Sequence, residues 1–214
     1  MRAPGIAIVD YGMGNRRSVE KALARVGAHA RITSQRDDLR AADGLVVPGV
    51  GAFPEAMRRL RGQGLDELVR ERLVAGTPVL GICLGMQLLF ERSSEHEGAE
   101  GLGLLPGAVE PLDATGLRLP HIGWSEVRWA RPSPLTEGLP EASAFYHVHT
   151  LAPRPARSED VLGTSDYGGP FASAVAREPL FGVQFHPEKS SQHGLRLLGN
   201  FAAICARLAP QVRA

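Results

Sequence analysis

The N-terminal part of the chain alternates between two kinds of segment, and few architectures tolerate that alternation. The short β-branched runs GIAIVD (5–10), HARITS (29–34), GLVVPG (44–49) and PVLGIC (78–83) are separated by stretches of helical spacing at 18–26 and 65–75. Strands divided by helices pair in parallel through right-handed βαβ crossovers. The expected fold class is therefore α/β, a mostly parallel central sheet with helices on both faces. Past Gly101 the texture changes: GAVEPL, HIGWSEVRW, AFYHVHTLAP, FASAVAREP and FGVQFHP are strand-like, with Pro and Gly between them, so hairpins and antiparallel strands are expected in this half. The last element carries Leu195, Leu198, Phe201, Ala202, Cys205 and Leu208 at helical spacing and should lay one face on the sheet. With 214 residues, no internal repeat and no linker, residues 1–214 read as a single domain. RPSPLTEGLP (131–140) is short enough to be a surface loop.

Composition narrows the partners. An apolar fraction of 43%, a charged fraction of 22% and a formal net charge of +1 leave no electrostatic footprint for nucleic acid or an anionic membrane, which favours a small, near-neutral ligand. No apolar run approaches the ~20 residues of a membrane span, and the first residues lack the succession of a signal peptide, so a cytoplasmic protein is expected. Two cysteines, Cys83 and Cys205, are too few for a disulfide framework or a zinc cage. Cys205 lies on the apolar stripe of the last helix and reads as a small buried hydrophobe.

Cys83 is different. In GICLGMQ it stands between glycines two before and two after, where the strand ends at Ile82 and a helix begins at Gly85. This is the nucleophile-elbow spacing with sulfur in place of a serine oxygen: glycines let neighbouring backbone approach a sharp, strained turn that exposes the side chain. The helix N-terminus beyond it favours a thiolate and can hold an oxyanion. The competing reading is a buried cysteine beside Ile82 and Leu84. A thiol nucleophile needs a base and a group to orient it, and FGVQFHPEKS supplies both candidates, His186 and Glu188, two residues apart at a strand end. A lone His-x-Glu is more often a surface pair. His147 and His149 alternate like a metal pair, but no third ligand has usable spacing, so no metal site is expected. DYGMGNRRS follows a strand and opens a helix, yet lacks the third glycine and the Lys-Ser/Thr pair of phosphate loops, and reads as a close turn near a subunit interface.

GICLGMQ followed much later by GVQFHPE resembles the class I, triad-type glutamine amidotransferases, which hydrolyse glutamine to glutamate and ammonia. The resemblance runs from Gly5 to Phe201 and implies that family's single-domain, flavodoxin-like fold. DYGMGNRRSV (10–19), VPGVGAF (47–53) and PHIGW (120–124) are similar to the branch serving histidine biosynthesis. Other branches usually carry an extra glycine where this chain has PGVG. Two departures from that branch leave the triad intact: His149, Thr150 and Leu151 stand where His-Ser-Tyr is common, and Ser125 where Asn is frequent.

By that resemblance Cys83 is the nucleophile, His186 the acid and base, and Glu188 its orienting carboxylate. The oxyanion falls to Leu84 and to Val50 and Gly51 of the PGVG loop. Gln87 and Glu95 match positions that contact the amino-acid end of glutamine, although both also read as helix-surface polarity. His149, Thr150 and Leu151 would offer strand backbone to the substrate. No cofactor is implied. Ammonia released into neutral water is largely protonated and lost, and a chain of this length has no room for an acceptor site. The resemblance therefore implies a heterodimer with a separate (βα)₈ cyclase, HisF, which uses ammonia to convert the ribulosyl intermediate PRFAR to imidazole glycerol phosphate and AICAR. Tyr11, Asn15 and Trp124 are the expected docking face, with Trp124 as plain core the competing reading. From a different class come a non-catalytic subunit that kept the fold and a redox-sensing elbow-cysteine protein. The complete set Cys83, His186 and Glu188 argues against the first, and the late His-Pro-Glu against the second.

Overall fold

The computed structural model describes residues 2–209. In chain order it runs β1 (Gly5–Val9), α1 (Arg16–Arg25), β2 (His29–Thr33), α2 (Arg36–Ala41), β3 (Gly44–Gly49), α3 (Phe53–Gly62), α4 (Leu65–Val74), β4 (Val79–Cys83) and α5 (Leu84–Leu88). There follow β5 (Phe90–Ser93), β6 (Ala99–Glu100), β7 (Leu105–Pro111), β8 (His121–Trp129), β9 (Ala142–His149), β10 (Leu151–Pro155), β11 (Val161–Asp166), β12 (Pro170–Arg177), β13 (Leu180–Val183) and α6 (Ser191–Leu208).

The main sheet has nine strands in the order β2-β1-β3-β4-β13-β12-β11-β8-β9. From β2 to β13 every pairing is parallel, and from β13 to β9 every pairing is antiparallel. The parallel part has the flavodoxin-like order, with β13 returning from far along the chain to take the fifth place. A second, four-stranded sheet, β10-β7-β5-β6, stands beside it.

Period-two alternation divides each central strand between two cores. Ile6 and Ile8 of β1 pack with Val19 and Leu23 of α1 and Leu197, Leu198 and Phe201 of α6. Ala7 and Val9 face the other way, against Phe53, Met57 and Leu60 of α3, Leu68 of α4 and Met86 of α5. Helices thus cover both faces, as the alternation required.

The expected helix at 18–26 starts earlier, at Arg16, and α2 and α3 were not anticipated. α3 follows the PGVG loop directly and buries Phe53, Ala56, Met57 and Leu60, so its i, i+3, i+4, i+7 stripe was present in the sequence. α2 has six residues and buries only Leu39, too short a period to detect. In α6 the apolar stripe stops at Cys205, because Leu208 is 55% exposed. The 131–140 segment is more than a surface loop: Leu135 and Thr136 are buried in a 3₁₀ turn, and Asn200 of α6 donates to the carbonyls of Leu135 and Glu137 at 3.0 and 2.8 Å. Among the described residues, no helix is long and apolar enough to cross a membrane, and no group of three or more His, Cys, Asp or Glu is arranged to hold a metal ion.

Candidate active site

β4 ends at Cys83, whose backbone has φ 55° and ψ −114°, a left-handed conformation that costs a non-glycine residue on the order of 1–3 kcal/mol. Neighbouring backbone encloses the turn so closely that a Cβ at Gly85 would lie 1.8 Å from the Val47 carbonyl oxygen, and one at Gly81 2.6 Å from that of Gly85. The two glycines of the G-x-C-x-G frame are therefore steric requirements, as the sequence implied. The helix beyond differs from expectation. It begins at Leu84 and has only five residues before the chain turns into β5, so a long helix dipole is not what conditions the sulfur.

β13 runs parallel to β4 with Val183 opposite Ile82, which carries the next residues to the same end of the sheet as Cys83. His186 Nδ1 lies 2.9 Å from Glu188 Oε1, and both side chains are buried. The contact is made through a 3₁₀ turn that Pro187 opens, not through strand alternation. The turn is pinned: the His186 N–H donates to Tyr146 O at 2.9 Å, and Ser190 Oγ donates to His186 O at 2.6 Å while accepting from the Tyr146 N–H. Because a carboxylate only accepts, Nδ1 carries the hydrogen and Nε2 is free for the sulfur. Burial disfavours the charged ring, but hydrogen bonds to the Cys83 sulfur and to Glu188, with the charges of both, outweigh it and raise the His186 pKa from 6.5 to about 10.

A cleft of about 570 Å³ opens over these groups, lined by Val50, Gly51, Leu84, Gln87, Glu95 and His149 among others. β3 lies beside β4 with Gly49 opposite Cys83, so the PGVG loop starts at the nucleophile. Glu95 Oε2 accepts the Phe53 N–H at 2.6 Å, fastening the start of α3 just past that loop. Gln87 is buried, and its Nε2 donates both to Leu151 O at 3.1 Å and to Gln184 Oε1 at 3.0 Å, so it is not helix-surface polarity. Leu151 O also accepts from His149 Nδ1 at 2.9 Å, and Thr150 O accepts from the Leu112 N–H at 2.9 Å. Both lone pairs of the Leu151 carbonyl are thus used within the protein, while Thr150 O keeps one free for a further donor.

Tyr11 is a correction. Expected on an exposed docking face, it is fully buried, and its hydroxyl donates to Pro48 O at 2.5 Å. Burial, then the neighbouring Cys83 charge, raises its pKa. It is a strut under the PGVG loop. Asn15 is half-buried at the start of α1, its side chain making no cap. Trp124 is 55% exposed and is not core; with Ile122 at 60% it forms an apolar outer face of β8, beside Tyr146 at a ring distance of 6.1 Å.

His147 and His149, which alternate as the sequence suggested, are joined by His121 from β8. His121 Nδ1 lies 3.3 Å from His149 Nε2, its Nε2 is 2.9 Å from Ser125 Oγ, and His147 Nε2 is 2.8 Å from Ser173 Oγ. Carbonyls fix a hydrogen at Nδ1 of His147 and His149, so in the neutral ring each Nε2 is the acceptor. Burial, chiefly, depresses the His147 pKa to about 3 and that of His149 to about 4. His121 and Gln184 went unnoticed in the sequence. A polar residue inside the apolar run FGVQF was the available signal, since a buried amide must find partners.

The family model for class-I glutamine amidotransferases matches residues 7–205. The chain belongs to that family. This amidotransferase is 50% identical over 199 residues to the imidazole glycerol phosphate synthase subunit HisH of Moorella thermoacetica, covering 93% of this chain and 94% of that protein. It is 49% identical over 200 residues to the HisH subunit of Bacillus cereus, with the same coverage. Among solved structures, PurLQS from Thermotoga maritima superposes with a TM-score of 0.74 at 18% identity, covering 94% of this chain and 99% of that one, a likeness of fold.

Proposed function

We propose that this chain is the glutamine-hydrolysing subunit of imidazole glycerol phosphate synthase and works in the cytoplasm as a heterodimer with the cyclase HisF, in histidine biosynthesis. The whole of 1–214 is read as one amidotransferase domain, of which residues 1 and 210–214 lie outside the described residues. The observation that carries the reading is the buried His186–Glu188 pair at 2.9 Å, delivered by the β4–β13 register to the strained turn of Cys83.

In this reading the Cys83 thiolate attacks the carboxamide carbon of glutamine. The oxyanion is held by N–H groups of Leu84 and of the Val50–Gly51 loop, each worth about 10²-fold or more in rate. His186, which carries its proton through the neutral range, gives it to the departing ammonia and then takes one from the water that opens the thioester. Glu188 holds the ring with Nε2 towards the sulfur. Glu95 offers a carboxylate to the substrate ammonium while one oxygen tethers Phe53, and Gln87, both of its N–H groups engaged, offers its oxygen. The backbone of His149, Thr150 and Leu151, which line the same cleft, offers further contacts to the substrate. Every step uses side chains, backbone and water.

Ile122, Trp124 and Val50 are exposed apolar side chains, and Val50 also lines the cleft, which suits a partner that receives ammonia where it is made. Co-purification with the cyclase and measurement of glutamate release tests the reading. Release should require the partner and vanish in Cys83→Ala. A complex that binds glutamine yet never releases glutamate ends it.

A further inference from the structure

Gln184, in the middle of the GVQFHPE run, is fully buried and has no place in the reaction described above. Its surroundings fix which way its amide faces. The Leu151 carbonyl can only accept, so the group that Gln87 presents to it is the nitrogen. That same nitrogen lies 3.0 Å from the Gln184 amide, which must therefore answer with its oxygen. The remaining end of Gln184 is Nε2, and it points at the Cys83 sulfur at 3.8 Å. A carbonyl, that of Val148, stands 3.8 Å from the sulfur as well. The two neighbours suit different states of the nucleophile: a thiol can donate to Val148 O, whereas a thiolate can only accept, and Gln184 supplies the hydrogen.

We propose that Gln184 is a further catalytic residue, whose side-chain N–H, aimed through the Leu151–Gln87–Gln184 string, donates to Cys83 whenever the sulfur carries negative charge. The proposal rests on the glutaminase reading, and the donor acts twice in it. Before attack, it favours the thiolate over the thiol turned to Val148 O. In deacylation the water oxygen bonds to the thioester carbon, one water proton passes to His186, and the C–S electron pair returns to sulfur. There the Gln184 N–H receives it, so the leaving group departs into a waiting hydrogen bond. The intervening thioester sulfur bears little charge and makes little use of the donor. The contribution is therefore larger in the charged states at either end than in the intermediate.

Iodoacetamide labelling of Cys83 in the full chain, followed by mass spectrometry from pH 5 to 10, reads the thiolate without needing turnover. Gln184→Met keeps the length and removes the N–H. It should slow labelling at pH 7 by about fivefold or more and move the profile to higher pH. Gln87→Met, which leaves the Gln184 amide unaimed, should shift the profile in the same direction by less. In the complex with the cyclase, kcat for glutamate release should fall with Gln184→Met by at least the labelling factor. Labelling profiles that superimpose on the wild type overturn the proposal. Should either variant fail to fold, wild-type protein labelled with ¹⁵N in glutamine side chains gives the answer. One buried amide pair should shift when Cys83 is alkylated, and amide signals that all stay in place overturn the proposal. Wild-type complex that alkylates at Cys83 but releases no glutamate defeats the glutaminase reading and leaves the labelling comparison standing.

Discussion

Glu188 uses one carboxylate oxygen on His186, while the other is buried without a partner, so the carboxylate's charge is not shared with any other donor. Glu188→Gln keeps an acceptor for Nδ1–H but loses the charge that helps hold the proton on the ring. Glutamate release by the complex should fall by about 10²- to 10⁴-fold with glutamine affinity little changed, a kcat effect that steady-state kinetics separates from KM. Tyr11 makes a different residue-scale case. Tyr11→Phe removes a buried hydroxyl and leaves the Pro48 carbonyl unanswered, at a cost of about 1–3 kcal/mol in urea denaturation. Because Pro48 opens the PGVG loop, the loss should also change glutaminase activity. Unaltered kinetics would separate the strut from the loop. Glu188 was expected in its role from the His-Pro-Glu run, but that of Tyr11 was not legible beforehand. An aromatic after a strand reads equally as anchor or as core, and only the fold placed its hydroxyl against Pro48.

At the scale of elements, β8 and β9 carry three neutral imidazoles side by side, His121 with His147 and His149. The folded rings of His147 and His149 resist protonation down to about 3 and about 4, whereas an unfolded chain takes up protons near 6.5. The unfolded state then binds more protons, so the stability these two rings contribute is complete above about pH 6.5 and is lost as the pH falls. The slope reaches about 1.4 kcal/mol per pH unit for each ring until its folded pKa is reached. Denaturation midpoints between pH 7 and 4.5 should show this decline, and His147→Asn should flatten it by up to one ring's share. A decline unaltered by that substitution would assign the acid sensitivity elsewhere. The elements themselves were largely legible, because β-branched runs and helical stripes survive in any sequence whose faces are buried. Where a period is too short, as in α2, or where a pair such as β5 and β6 carries little apolar alternation, nothing distinguishes strand or helix from turn.

Across the whole molecule, the exposed apolar pair Ile122 and Trp124 on β8 suits the docking face proposed above. Trp124→Ala should weaken association with the cyclase by about tenfold or more while leaving the melting temperature of the isolated chain within a degree or two, since the ring is mostly in solvent. Titration calorimetry paired with thermal melts reads both. Equal affinity would move the docking face elsewhere. The glycine frame and His-Pro-Glu pointed to the candidate site from sequence, since each is a steric or chemical demand written in adjacent letters. The amide string was invisible because its members come from segments far apart in the chain, and of the imidazole row the sequence displayed His147 and His149 but not His121, which joins them from the paired strand. Cys83 and Gln184 are separated by 101 positions, and they meet only because β13 lies against β4. A ribosome must therefore extrude nearly the entire polypeptide before any hydrolytic centre exists, and a truncated translation product that lacks the late strand is chemically silent instead of a source of stray ammonia.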